Sequence, residues 1–120
     1  MNAKPLLAAV AVMLVSLAAC SSKSRIARNN EIIMKVEALS DIKIEPPYDQ
    51  LGRIRDAHQQ AKVLLTEYTG EDQAGLMQDV DEMFRLKEGE AQAWASTGNG
   101  LREYLAYSSK MLRITAKYHK

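Results

Sequence analysis

The chain carries one cysteine, Cys20, at the point where an apolar run gives way to polar residues. Leu6 to Val15 is an unbroken stretch of Leu, Ala, Val and Met behind a single charge, Lys4, and Ser16, Leu17, Ala18 and Ala19 lead on to the cysteine. Such a run falls short of the about 20 apolar residues that span a bilayer. A charged start, a short apolar middle and small residues before a cut form a secretory signal instead, expected over residues 1–19. Its removal sets the folding problem. Cys20 to Lys120 has no second cysteine and can close no internal disulfide. About 100 residues must therefore hold together by burial alone, covering roughly two-thirds of the surface the unfolded chain exposes.

Leu17-Ala18-Ala19-Cys20 resembles the lipobox of Gram-negative bacterial lipoproteins. The resemblance covers the signal segment and assigns no family to the rest of the chain. It implies cleavage before Cys20, a thioether from the Cys20 sulfur to diacylglycerol, and an acyl chain on the freed amine. One acyl chain binds a membrane only marginally, at about 0.8 kcal/mol per buried methylene, whereas two or more anchor stably. In that family an aspartate after the cysteine retains the protein at the inner membrane. Ser21 in this position implies the outer membrane, lipid-anchored on the periplasmic face. The covalent lipid apart, no cofactor is implied.

Lys4 leaves with the signal, so 15 Lys and Arg face 15 Asp and Glu. A balanced charge argues against nucleic acid as a partner, and no small-molecule substrate is indicated. Residues 20–30 are polar and are expected to form a lipidated leash, leaving 31–120 as a helical domain with its stable core at about 48–118. Asn30 is placed to cap a short helix reaching about Ser40, with Ile32, Ile33, Val36 and Leu39 in one arc. Pro46-Pro47 stops any helix. Asp49 is placed to cap a second helix ending near Thr69-Gly70, with Leu51, Ile54, Ala57, His58, Ala61, Leu64, Leu65 and Tyr68 within about 140° on its apolar face. A third helix, from about Thr69–Asp72, carries Leu76, Met77, Val80, Met83, Phe84, Ala91 and Trp94 within about 120°, with a bend expected at Gly89. The loop Ser96 to Gly100 precedes a last helix, Leu101 to about Tyr118.

That last helix has two apolar stripes, Tyr104, Tyr107, Met111, Ile114 and Tyr118 beside Leu101, Leu105 and Leu112. Together they span about 180°, enough to touch two neighbours. The tyrosine-rich stripe is taken as the candidate partner surface, with Phe84 and Leu105 as core. The expected fold is all-α: a small up-down bundle of three longer helices and a short N-terminal one.

Chemistry is sparse. His58 lies on an apolar face without a Cys, Asp or Glu one helical turn away, which fits packing better than the three or four convergent donors of a zinc site. The acids Asp79, Asp81, Glu82, Glu88 and Glu90 are assigned to the solvated side of the third helix, not to a pair facing across a cleft as glycoside hydrolysis requires. No metal site, catalytic residue or enzyme activity is expected. Glu71 to Glu90 is acidic and Leu101 to Lys120 basic, which suits antiparallel neighbours or a partner surface. The expectation is a non-enzymatic adaptor or scaffold for another cell-envelope protein. A pilotin-like chaperone for a secretin subunit and a peptidoglycan-binding or hydrolytic protein are the alternatives.

Overall fold

The structure, a computed structural model, describes residues 24–120. Leu17, Ala18, Ala19, Cys20 and Ser21, the expected processing and lipidation positions, lie outside them. The described chain is all-α, with helices α1 (24–40), α2 (Leu51–Leu65), α3 (Gln73–Thr97) and α4 (Leu101–Tyr118).

Hydrogen bonds between elements give the topology. The start of α1 meets the α2–α3 turn and the end of α4, through Asn29 to Thr69 and Asn30 to Lys120. The end of α1 meets the middle of α3 and α4, where Ser40 bonds Met83 and Tyr107. The helices therefore run up, down, up and down. We call the Asn29–Asn30 end the base and the α3–α4 loop the top.

The helix α1 begins earlier than its sequence suggests. Residues 24–30, expected to belong to the leash, are helical, and Arg28, Asn29 and Asn30 have partners outside α1. Arg28 pairs with Glu67. Asn29 donates from Nδ2 to the Thr69 carbonyl at 2.6 Å and accepts the Thr69 N–H at Oδ1 at 3.1 Å. Asn30 does the same to the Lys120 backbone, at 3.2 and 2.9 Å. Asn30 is thus a staple to the C-terminal tail and not the expected cap. Ile32, Ile33 and Val36 of α1 are completely buried, so the core is not confined to 48–118. Every apolar side chain in this trio removes about 1.5–3 kcal/mol worth of surface from water.

Residues 41–50 form a strap along the upper part of α3 and α4. Gln50 is buried and donates from Nε2 to the Glu45 carbonyl at 3.0 Å, which folds the strap back before α2. Tyr48 holds a left-handed φ of 62°, costing about 1–2 kcal/mol, and stacks on Trp94 with ring centroids 6.3 Å apart. Helix α3 continues through Gly89 without interruption. It ends at Gly98, whose φ of 71° supplies the left-handed cap and whose N–H reaches the Trp94 carbonyl at 3.0 Å. Gly100 has to be glycine for another reason: a Cβ there would lie 2.5 Å from Trp94 Cδ1 and 2.9 Å from the Glu90 carbonyl.

Candidate interaction surface

Of the five residues expected to form the partner surface, Tyr107, Ile114 and Tyr118 are buried, Met111 is half-buried and Tyr104 is partly exposed. Their stripe is the bundle's own seam. Tyr107 shares a 2.6 Å hydrogen bond with Ser40 of α1 and reaches Met111 Sδ at 3.6 Å. Burial pushes its phenol up to about 12, against a smaller opposing effect of the Ser40 bond. Tyr118 donates to Asp79 Oδ2 at 2.6 Å, and burial plus that bond raise it to about 12 as well.

Asp79 is where α3 and α4 are joined electrostatically. Lys110 Nζ lies 3.0 Å from Asp79 Oδ1 and 2.9 Å from Glu82 Oε2, and Lys117 Nζ lies 3.6 Å from Asp79 Oδ2. Partial burial pushes the Asp79 carboxyl up, but the Tyr118 hydroxyl and the two ammonium groups outweigh it and hold it below its usual value. The acidic third helix and basic fourth helix thus neutralise each other along this edge.

The second stripe of α4 points the other way. Leu101, Leu105 and Leu112 are 57%, 56% and 66% exposed. Leu105 is therefore not core, and α1 covers the tyrosine stripe instead of the leucines. The reason is in the contacts of α1, which reach Tyr107 through Ser40 and Thr115 through Glu37, both on the inner side of α4. Two shallow grooves meet at Leu101. One, about 300 Å³, lies under the strap among Ile42, Ile44, Trp94 and Tyr104, and the other, about 570 Å³, is bounded by Asn99, Arg102, Glu103 and Leu105.

Beneath the strap lies a buried ion pair, one member of which, Glu90, is expected from sequence on the solvated side. Lys87 Nζ is 2.8 Å from Glu90 Oε1, with the two side chains only 2% and 4% exposed. Trp94 Nε1 donates to Glu90 Oε2 at 3.2 Å, and the Lys87 ammonium sits 4.5 Å from the Tyr107 ring centre. Glu90 thus moves from the solvated acids to the interior, because the strap and α4 cover the upper part of α3. At 100° per residue, Lys87 and Glu90 bracket Met83 and Leu76 around the helix, a phase that could have been read from their numbers.

His58 lies flat on Phe84, with ring centroids 4.7 Å apart, and bonds Asp81 Oδ1 at 2.6 Å from Nε2. The partner comes from the neighbouring helix, beyond the reach of spacing along α2. Among the described residues no three His, Cys, Asp or Glu side chains come together to hold a metal ion, and no helix is long and apolar enough to cross a membrane. No family model matches the chain, and neither does any curated protein or solved structure.

Proposed function

We propose that the protein is a lipid-anchored, non-enzymatic adaptor that holds another cell-envelope protein at the periplasmic face of the outer membrane. The observation that carries this reading is α4, whose inner face completes the bundle while three leucines on its outer face stay exposed. A helix face that keeps leucines in water is suited to binding protein. The Leu17–Cys20 signature supplies the tether. Tethering confines the search for a membrane partner to a surface, which raises effective concentration without adding a contact.

A narrower reading, a pilotin-like chaperone that carries a secretin subunit to the outer membrane, is favoured by the groove under the strap. Ile42, Ile44, Trp94 and Tyr104 line it beside the Lys87–Glu90 pair, a mixed wall that suits an amphipathic partner segment. Deletion of the gene would then displace the secretin from the outer membrane, whereas a general adaptor leaves it in place.

Metabolic labelling with palmitate tests the anchor. Wild type takes up label and fractionates with the outer membrane, and Cys20→Ala is unlabelled and stays unprocessed or mislocalised. A wild-type protein that incorporates no palmitate overturns the anchored reading.

A further inference from the structure

We propose that the exposed stripe of α4 docks an amphipathic helix whose apolar stripe is bordered on one side by carboxylates; this deepens the adaptor reading and rests on it. Leu101, Leu105 and Leu112 are exposed and, at 100° per residue, fall within about 40° of one another. They extend about 17 Å along the helix at 1.5 Å per residue, with exposed Ser109 and Ala116 continuing the strip. A helix laid into such a face contacts it through residues three, four and seven apart.

Charge identifies the occupant. The cations of α4 divide into two groups. Lys110 and Lys117, nearer α3, are paired with Asp79 and Glu82. Arg102 and Arg113, which border the leucines on one side, are exposed, and no carboxylate pairs with either among the described residues. They lie eleven positions apart, close to three full turns, and so stand in line. A partner helix with acids at the matching turns covers the leucines and gives both guanidinium groups the planar acceptors they bind best.

Two other occupants fit the same face less well. A second copy, crossing antiparallel near Ser109, would set each arginine border against its own kind, which repels. A bilayer would favour cations on both sides of the strip, yet the opposite border is Tyr104, Ser108 and Thr115, and Thr115 donates to the Glu37 carboxylate of α1.

The test uses the purified processed protein with phosphatidylcholine vesicles and two synthetic fluorescent helices. Both helices carry one leucine stripe, bordered by glutamate in one and by lysine in the other, and binding is read by anisotropy. Wild type should bind the glutamate helix at least about tenfold more tightly. Arg102→Glu with Arg113→Glu should invert that preference, and Leu105→Ser with Leu112→Ser should abolish binding of either helix. Circular dichroism should be unchanged in each variant, since all four positions are exposed. Absence of binding, or binding indifferent to the arginine reversal, overturns the proposal. So does insertion of a fluorophore at Ser109 into phosphatidylglycerol vesicles, or dimerisation in sedimentation that the leucine changes remove. Peptide binding does not depend on acylation. Binding without palmitate uptake would therefore defeat the anchor alone, and palmitate uptake without binding would defeat the docking face alone.

Discussion

Lys87→Met should be among the most damaging single changes in the bundle. The ammonium it removes lies 2.8 Å from Glu90 Oε1 and 4.5 Å from the Tyr107 ring centre, with 2% of the Lys87 side chain exposed. Methionine fills most of the same volume, so the cost is electrostatic and not a cavity. Glu90, 4% exposed, would keep one donor, the Trp94 indole N–H at 3.2 Å, for a carboxylate cut off from water. Removing one partner of a buried pair costs about 3–5 kcal/mol, against a total stability of about 5–15 kcal/mol for a domain of this size. At about 4–8 °C per kcal/mol the melting point should fall by at least about 12 °C. Adding Glu90→Gln removes the stranded charge while leaving an amide oxygen for Trp94. The double variant should recover about 2 kcal/mol relative to Lys87→Met alone, which is the coupling between neighbouring sites that a mutant cycle isolates. Urea unfolding followed by the fluorescence of Trp94, the single tryptophan, measures all four species. If Lys87→Met costs less than about 1 kcal/mol, or the double variant is no better than the single, the pair is not the closed buried pair described.

Three further outcomes follow from the geometry. Phe84→Ala, at a completely buried position under His58, should cost about 3–5 kcal/mol in the same urea assay, whereas Leu105→Ala, 56% exposed, should cost no more than about 0.5 kcal/mol. Gly89→Ala should stabilise by about 0.4–1 kcal/mol, because an added Cβ meets nothing within 4 Å and helix α3 is already continuous there; a lower melting point would mean the helix bends at Gly89. Tyr68, Tyr107 and Tyr118 are raised to about 12 by burial first, against about 10 when unfolded. Folded and unfolded chains bind these protons equally below pH 10, so their stabilisation is full there and is lost as pH rises from about 10 to about 12. The urea midpoint should therefore drop across that window, with native tyrosinate absorbance lagging that of the unfolded chain.

Helix periodicity located the helices well, and local chemistry located their ends less well. The apolar spacing of Leu76 to Ala91 and of Tyr107 to Tyr118 marks faces that are buried in the structure. A sequence shows that α4 has two apolar stripes, but choosing the buried one requires knowing where α1 packs, and that depends on Ser40 and Glu37 reaching across to Tyr107 and Thr115. Asn29 and Asn30 look like leash and cap residues because their partners, the Thr69 and Lys120 backbones, are 40 and 90 positions away. Glu90 is hidden by residue type: its charge suggests solvent where helix phase points inward. The docking face inherits this difficulty, since its leucines become informative only once the tyrosines beside them are known to be core.

The Asn29 and Asn30 clamps also decide how the molecule bears load. A pull on the N-terminal end of α1 enters the bundle at the residues that grip the α2–α3 turn and the last residue of the chain. Each clamp is a pair of bonds side by side, and the Arg28–Glu67 contact lies one residue earlier. Tension is thereby divided between the α2–α3 turn and the end of α4 before it reaches the apolar interior. A grip at the opposite end, near Leu101, would set α1 and α4 sliding past each other, so that Ile32, Ile33 and Val36 resist together and do not peel away one at a time. Such an arrangement stretches little and yields abruptly, the behaviour of a strut between two attachment points and not of a spring.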